Sequence, residues 1–321
     1  MELGIVTDSL ASLPFDEMLD TVAAQGITAI ELPTGGWSSA PHCDVRSLLT
    51  DAAARDRFVG AVTERGLHIS ALNINGNQLH PVIGAEIDAL VHATVDLAAV
   101  LGVGTVVLMS GLPGGAPGDQ APNWVTTSWP PETQTILDYQ WNEVAIPYWK
   151  ELGAYGRERG VRFAVEMHGD QLVYNAATLL RLREAVGDVV GANFDPSHPM
   201  WMGADPCAMA GELTGAIYNV HAKDTRINGR ITDVNGLLDT QTVDRAATRA
   251  WNYVTLGLGR VGGRQFWGQF LSDLRSAGYD GVLAIEHEDV LYDAVEGLTA
   301  TVGLLREVMP VAPASWKPQD V

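Results

Sequence analysis

The sequence predicts a single-domain α/β protein, a (β/α)8 TIM barrel, on three observations. Eight short β-branched or apolar runs punctuate the chain, at about residues 3–7, 28–32, 68–74, 105–110, 162–168, 190–195, 217–224 and 282–288. Helix-forming stretches separate most of them, and strands alternating with helices argue for βα units around a parallel sheet. The chain has 321 residues, the length that eight such units occupy when they close into a barrel.

The first run, LGIVT, opens the chain without a helical lead-in. Six later runs share one local pattern: AAQGITAIEL, TERGLHISALN, AVLGVGTVVLMS, RERGVRFAVEMH, EAVGDVVGANFD and RSAGYDGVLAIEHED. In each, an Ala- or charge-rich stretch ends at a glycine (Gly26, Gly66, Gly102, Gly160, Gly187, Gly278) and a strand follows. A glycine just past a helix closes its last turn in the left-handed region. The seventh strand, in IYNVHAKD, has no such lead-in. A doubly wound open sheet is the alternative architecture, but no Gly-rich phosphate turn follows strand 1, which continues IVTDSLAS. The GLGR segment at 257–260 precedes a helix with no strand read before it, which weighs against a dinucleotide site.

Two connections are long, 111–135 (GLPGGAPGDQAPNWVTTSWPPETQT) and 225–265. They follow strands 4 and 7, which places them on the C-terminal face of the barrel, where active sites are built. The barrel is expected over 1–309. The tail 310–321, PVAPASWKPQDV, has prolines spaced against a helix and is expected to be an arm or disordered.

Composition narrows the function classes. Hydrophobic residues make up 46% of the chain, enough for a sizeable core. The formal charge is −19, a poor surface for nucleic-acid phosphates, so no nucleic-acid partner is expected. No apolar stretch reaches the roughly 20 residues that span a bilayer, and the start, MELGIVTDSL, lacks a basic n-region and apolar core. Cys43 and Cys207 stand far apart in no metal-like spacing. The expectation is a cytoplasmic protein without membrane or disulfide framework.

The chemistry is concentrated where strands end. AVEMHGD finishes strand 5 with Glu166 and His168, which share a face because side chains alternate along a strand. Strand 6, GANFD, ends in Asp195, with His198 three residues on. Strand 7 carries His221 and Lys223 on one face. Strand 8, LAIEHED, offers Glu286 and Glu288. Strands 2 and 3 add Glu31 and Asn73, and Trp37 and His80 lie in the loops beyond them. A lone Glu-x-His or His-x-Lys-Asp is more often a surface turn than a site, and a buried strand-end carboxylate can be an ion-pair partner, but four such features on four successive strands are hard to explain that way. Glu166, Asp195 and Glu286 could not share a pocket without a counter-charge. One divalent cation held by Glu166, Asp195, His221 and Glu286 resolves the conflict. Three oxygens and one nitrogen suit Mn2+, Mg2+ or Co2+ better than a structural zinc.

These segments (FAVEMHG, NFDPSH, VHAKDTR, LGLGR and AGYDGVLAIEHED, with ELPTGGWSSAPHCD and ALNINGNQLHP nearer the front) resemble the sugar isomerase/epimerase family with the xylose-isomerase-like barrel, over nearly the whole chain. The resemblance implies a single Mn2+ or similar ion (Mg2+, Co2+ or Zn2+ being alternatives) on Glu166, Asp195, His221 and Glu286. It implies that the two glutamates also act as the acid/base pair, and that His198 holds the substrate. Arg226 stands one position earlier than the Arg that follows the metal His in ketose epimerases of this group, and both long loops depart from those compact enzymes. Related branches are inosose dehydratases and the larger subunits of C-glycoside deglycosidases, which work with a small partner subunit. For these His168 suits proton transfer, and Trp124, Trp129, Tyr139 and Trp141 would either cover a flat aglycone or pack the loop onto the barrel. Barrel endonucleases with three zinc ions are a remoter branch, for which this chain has only His80 to offer in its early strands.

All the sugar-acting branches begin by enolisation, the removal of a proton next to a carbonyl. The expected activity is therefore metal-dependent enolisation of a sugar or keto-sugar by an isomerase/epimerase. A β-eliminating lyase is the alternative, and a non-catalytic metal-containing subunit ranks behind it. Glu166, Glu286 and His168 are the candidate acid/base groups. His198, Lys223, Arg226, Glu31, Asn73, His80 and Trp37 are candidate substrate contacts. A small carbohydrate is the expected ligand, with a homo-oligomer or a small partner subunit as the expected assembly.

Overall fold

A computed structural model describes residues 1–259, 262–312 and 315–316. Eight parallel strands close into a barrel: β1 (Glu2–Val6), β2 (Ala29–Pro33), β3 (His68–Ile74), β4 (Thr105–Met109), β5 (Arg162–Glu166), β6 (Val190–Phe194), β7 (Ile217–Ala222) and β10 (Val282–Ile285). Each pairs with its sequence neighbours, and β10 pairs with β7 and β1 to complete the ring. Strands covered by helices outside and by packing inside read as near-continuous apolar runs, and all five residues of β4 (TVVLM) are buried. The six expected helix-closing glycines all adopt positive φ, between 64° and 87° at five of them and 104° at Gly187.

The helix that precedes β10 presents one apolar stripe to the barrel. In Arg264–Ser276 the buried residues are Phe266, Trp267, Phe270, Leu271 and Leu274, the three-to-four spacing of a helix face laid on a sheet. Asp51, Asn175, Asp205 and Asp293 cap helix starts by accepting backbone N–H bonds. No helix among the described residues is long and apolar enough to cross a membrane.

Strands 5 to 8 of the barrel stop short of their expected ends, at Glu166, Phe194, Ala222 and Ile285. Past those points side chains and loops take over from the ladder: Ser197 N donates to Asp195 Oδ1 (2.7 Å), and His287 N donates to Ser9 Oγ (2.9 Å). The long connections are also more ordered than loops. The first gives way at Glu132 to a helical stretch that runs through a π-helical segment, Tyr139–Ala145, to Glu158. Within that segment the buried Gln140 donates to the carbonyls of Pro113, Gly114 and Asn123, which ties the loop to the helix.

The second connection is a hairpin. β8 (Asp224–Ile227) pairs antiparallel with β9 (Trp251–Val254), so a strand does precede the Gly-x-Gly segment, contrary to the sequence reading. That segment wraps a buried carboxylate instead of a phosphate. Asp224 Oδ2 accepts from Gly257 N (2.9 Å) and Trp267 Nε1 (3.1 Å), and a Cβ at Gly259 would sit 2.4 Å from Asp224 Oδ1. The expectation for the tail 310–321 falls largely outside the described residues. The last helix ends at Val308, and the Ala312 carbonyl accepts from Arg275.

Gly259→Ala therefore forces a methyl against an anchored buried oxygen, and overpacking of that kind costs about 1–3 kcal/mol. Gly60, inside the helix Ala52–Thr63, has nothing within 4 Å of its would-be Cβ. Gly60→Ala is expected to be neutral or stabilising by up to about 1 kcal/mol. Urea midpoints of the two variants should move in opposite directions; a Gly259→Ala midpoint at or above wild type contradicts the packing described.

Candidate metal centre and active site

Four carbonyl-end side chains converge. Glu166 ends β5, Asp195 follows β6, His221 lies within β7 and Glu286 follows β10. One donor atom from each lies within 4.8 Å of the others, a group that can hold a metal ion. Glu166, Asp195 and His221 are buried, and Glu286 keeps 15% side-chain exposure at the mouth.

Each member is positioned from behind. His198 enters from the short helix Ser197–Met202 and lies between two carboxylates, its Nε2 being 2.9 Å from Glu166 Oε1 and 3.0 Å from Asp195 Oδ2. Its Nδ1 meets the Tyr253 hydroxyl at 2.9 Å. Glu166 Oε2 accepts from Asn75 (3.0 Å) and Asn193 (3.2 Å). His221 sets Nε2 against Glu31 Oε1 (2.9 Å) and Nδ1 against Glu286 Oε2 (3.2 Å). Lys223 Nζ lies 3.1 Å from Glu286, 2.7 Å from Glu288 and 3.8 Å from Asp195.

The electrostatics follow from burial and pairing. Burial alone would raise the Glu166 carboxyl, but the hydrogen bond from His198 and the charges of His221 and Lys223 hold it well below the usual carboxylate range. Against the same burial, Lys223 and His221 bring Glu286 down to about 2. Burial would lower His198, but Asp195 and Glu166 raise it to about 9. His168 goes the other way, to about 4, because burial and the neighbouring His198 disfavour its charge. His168 Nδ1 is bonded to the Gly169 carbonyl. A carbonyl only accepts, so Nδ1 carries the proton and Nε2 holds a free lone pair.

The donor set fits a divalent cation. Asp195 Oδ2 is buried and faces His198 Nε2 at 3.0 Å and Lys223 Nζ at 3.8 Å as ion pairs, but accepts no well-aligned hydrogen bond, which leaves it lone-pair capacity for a cation. With Nε2 turned to the Glu31 carboxylate, Nδ1 is the His221 nitrogen facing the other donors, the carboxylate–histidine arrangement common behind metal ligands. Glu166, Asp195, His221 and Glu286 would hold the ion.

A cavity of about 290 Å3 opens over this centre. Glu166, His168, Lys223, Glu286 and Asn73 line it, and Trp37, 61% exposed, stands at its rim. Four expected substrate contacts lie elsewhere. Glu31 is fully buried behind His221, and His198 is fully buried behind the carboxylates. His80 Nδ1 accepts from Val82 and Ile83 N–H groups and caps a turn. Arg226 is exposed on β8, opposite Asn252. Sequence reasoning missed Asp8, Ser38 and Asn75 on the cavity wall and Tyr253 behind His198. Asn75 was legible, since it shares the face of Asn73 at the strand period of two. Tyr253 was hidden in a segment read as loop.

A family model described as xylose isomerase-like TIM barrel matches residues 19–308. The chain is 46% identical over 313 residues to the uncharacterized protein YfiH of Bacillus subtilis (strain 168), covering 96% of this chain and 99% of YfiH. Among solved structures, the probable 3-DHS dehydratase AsbF of Bacillus anthracis aligns with TM-score 0.68 at 17% identity, over 95% of this chain and 99% of that one. A D-tagatose 3-epimerase-like protein aligns with TM-score 0.61 at 18% identity, over 96% and 98%. Both structural likenesses show the fold.

In the metal-free protein His198 titrates at about 9 when folded and near 6.5 when unfolded. The folded chain then holds a proton that the unfolded chain has lost between those values. Its contribution to stability is complete below pH 6.5 and is lost as pH rises through about 9; the raised His221 acts in the same sense. The urea midpoint of chelator-treated protein is expected to fall from pH 6.5 to pH 9, and a rise across that interval contradicts the pairing.

Proposed function

Because the chain belongs to the xylose isomerase-like TIM barrel family, we propose that it is a divalent-metal-dependent enzyme that removes a proton beside a carbonyl in a sugar or keto-sugar, acting as an isomerase or epimerase. The observation that carries this reading is the convergence of Glu166, Asp195, His221 and Glu286 under a cavity that also exposes a neutral histidine. Mn2+ is the proposed ion, with Mg2+, Co2+ or Zn2+ as alternatives. When bound, it would supply Lewis acidity and a template for a carbonyl and a neighbouring hydroxyl oxygen.

The chain's own residues account for the rest. His168, neutral and with Nε2 free, is the proposed base for the α-proton, and help of this kind is worth roughly 10²–10⁴ in rate. Glu286, the most open of the four donors, is its acid/base counterpart. Glu166 was the other candidate in that pair, but its oxygens already accept from His198, Asn75 and Asn193, which favours a holding role. Lys223 faces the cavity as a cation and would bind a carbonyl or hydroxyl oxygen, with Asn73 and Trp37 further out. The barrel mouth shields these groups from bulk water and so strengthens each interaction. The proposed substrate is a small carbohydrate and the proposed location the cytoplasm, as a homo-oligomer or with a small partner subunit.

Loss of a β-leaving group, the lyase reading, shares this first proton transfer. It is favoured by one observation: His168 lines a second cavity as well as the first, so it reaches both sides of a bond spanning them.

In D2O with Mn2+, NMR of ketoses and 3-keto-glycosides should show deuterium entering the sugar carbon next to the carbonyl. His168→Gln and Glu286→Gln should each slow that exchange by about 10²–10⁴. Full-rate exchange in both variants would sink the assignment, and release of water or an aglycone would direct it to the lyase outcome.

A further inference from the structure

The cavity over the candidate metal centre has one side that the centre does not use. Asp8 stands two residues past β1, in the short turn Thr7–Leu10, and lines the cavity beside Trp37 and Ser38 from the loop after β2. It lies outside the group of four converging donors.

This side is built as firmly as the centre. Thr34 N and Trp37 N donate to the carbonyls of Asn73 and Asn75, each at 2.8 Å, which fastens the loop after β2 to the end of β3. Gly36, between them, has φ of +75°, and a Cβ there would lie 2.3 Å from the Asn75 carbonyl oxygen, so the close approach requires glycine. Ser9 Oγ accepts from His287 N (2.9 Å), which ties the Asp8 turn to the segment between Glu286 and Glu288.

Ser38 aims the Asp8 carboxylate. Its Oγ accepts from Ala40 N (2.8 Å) and donates to Asp8 Oδ1 (2.9 Å). Ala40 holds φ of +48°, a rare conformation for a residue with a Cβ. Asp8 Oδ2 makes no hydrogen bond among the described residues, so one oxygen is fixed and the other is left as an acceptor.

The donors around the cavity are already engaged. Ser38 donates to Asp8, Asn75 to Glu166 and Asn73 to Glu31, and Lys223 faces Glu288 at 2.7 Å and Glu286 at 3.1 Å. His168 Nδ1 is bonded to the Gly169 carbonyl. Among the side chains lining the cavity, the rim indole of Trp37 is the donor left over, and it carries no charge. The charges agree. A divalent cation would offset the carboxylates that hold it, which leaves Asp8 and Glu288 against Lys223 alone. Burial pushes the Asp8 carboxyl up, the Ser38 hydrogen bond pulls it down, and the charge of Glu286 pushes it up again. A further anion would add to that repulsion and would find no free cation to pair with.

We propose that Asp8 determines specificity in this site: its free oxygen accepts a substrate hydroxyl, and the side of the cavity it belongs to turns away phosphate and carboxylate groups, so that the substrate is a non-ionic sugar or keto-sugar. That the ligand is a sugar rests on the proposed function; the discrimination by charge rests on the cavity.

The test is titration calorimetry of the Mn2+-loaded protein with D-fructose, D-psicose and D-tagatose, each against its own 6-phosphate. At least one free ketose should bind, and at least about tenfold more tightly than its 6-phosphate, because a charged group left without donors forfeits that much. Asp8→Asn, which keeps the shape and removes the charge, should cut the ratio to about threefold or less. Ser38→Ala, which removes the hydroxyl that aims the carboxylate, should lower it in the same direction. A 6-phosphate bound as tightly as its free ketose, no binding of any free ketose, or a ratio unchanged in both variants at wild-type urea midpoints would overturn the proposal. Selective binding of a free ketose without deuterium exchange would remove the enolisation reading and leave the role of Asp8 standing.

Discussion

Glu31 carries a carboxylate into the closed barrel, where its exposure is zero, and a charge so placed must be matched by donors. Asn73 donates to one of its oxygens (2.7 Å) and Asn219 to the other (2.8 Å), and His221 Nε2 completes the set. Asn219 also donates to Asn193 Oδ1, and Asn193 donates to Glu166. Strands β2, β3, β5, β6 and β7 are therefore joined through the barrel interior by side chains as well as around it by backbone. The pairing register shifts just before Glu31 and just before Asn193. Such irregularities re-aim a side chain, and these two precede residues of the interior network. The orientation of His221, and with it the geometry of the centre above, depends on Glu31.

The hairpin excursion reaches the same centre from outside. Tyr253 on β9 holds His198, and His198 holds Glu166 and Asp195. The hairpin is fastened at its return, where Asp289, just past β10, accepts from Thr255 N (2.7 Å) and Oγ1 (3.0 Å), and at its start, where Asp224 is enclosed by the Gly-x-Gly segment. An insertion fixed so closely can position a group within hydrogen-bond tolerance, whereas an untethered loop of that length could not. The excursion therefore serves two ends: it steadies the carboxylates from behind and supplies the outer wall of the second cavity.

The barrel was legible because its signals are local. Each glycine closes a helix within a few residues of the strand that follows, and the strands read as apolar runs. The meeting of Glu166, Asp195, His221 and Glu286 was legible too, because a parallel barrel sends all strand ends to one rim, so sequence position translates into height. What the sequence did not reveal depends on side-chain direction and on non-local folding. Glu31 and Asn73 look alike as strand-end polar residues, yet one is sealed behind His221 and the other lines the cavity. His198 follows Asp195 at a spacing that reads as substrate contact, but the short helix after β6 turns it under the carboxylates. Trp201 and Trp251 are 50 positions apart in the chain and stack only because the hairpin folds back over the helix Ser197–Met202. Composition and spacing carry no trace of such a pair.

The central claim is that four side chains on four strand ends form one metal centre. The most direct measurement is a Mn2+ titration of the chelator-treated protein followed by electron paramagnetic resonance, with Asp195→Ala alongside. The account predicts one tightly bound ion per chain in the wild type, with the free-ion signal persisting in the variant because one of the four converging donors is gone. No bound ion in the wild type, or an ion bound as tightly by Asp195→Ala, would contradict it.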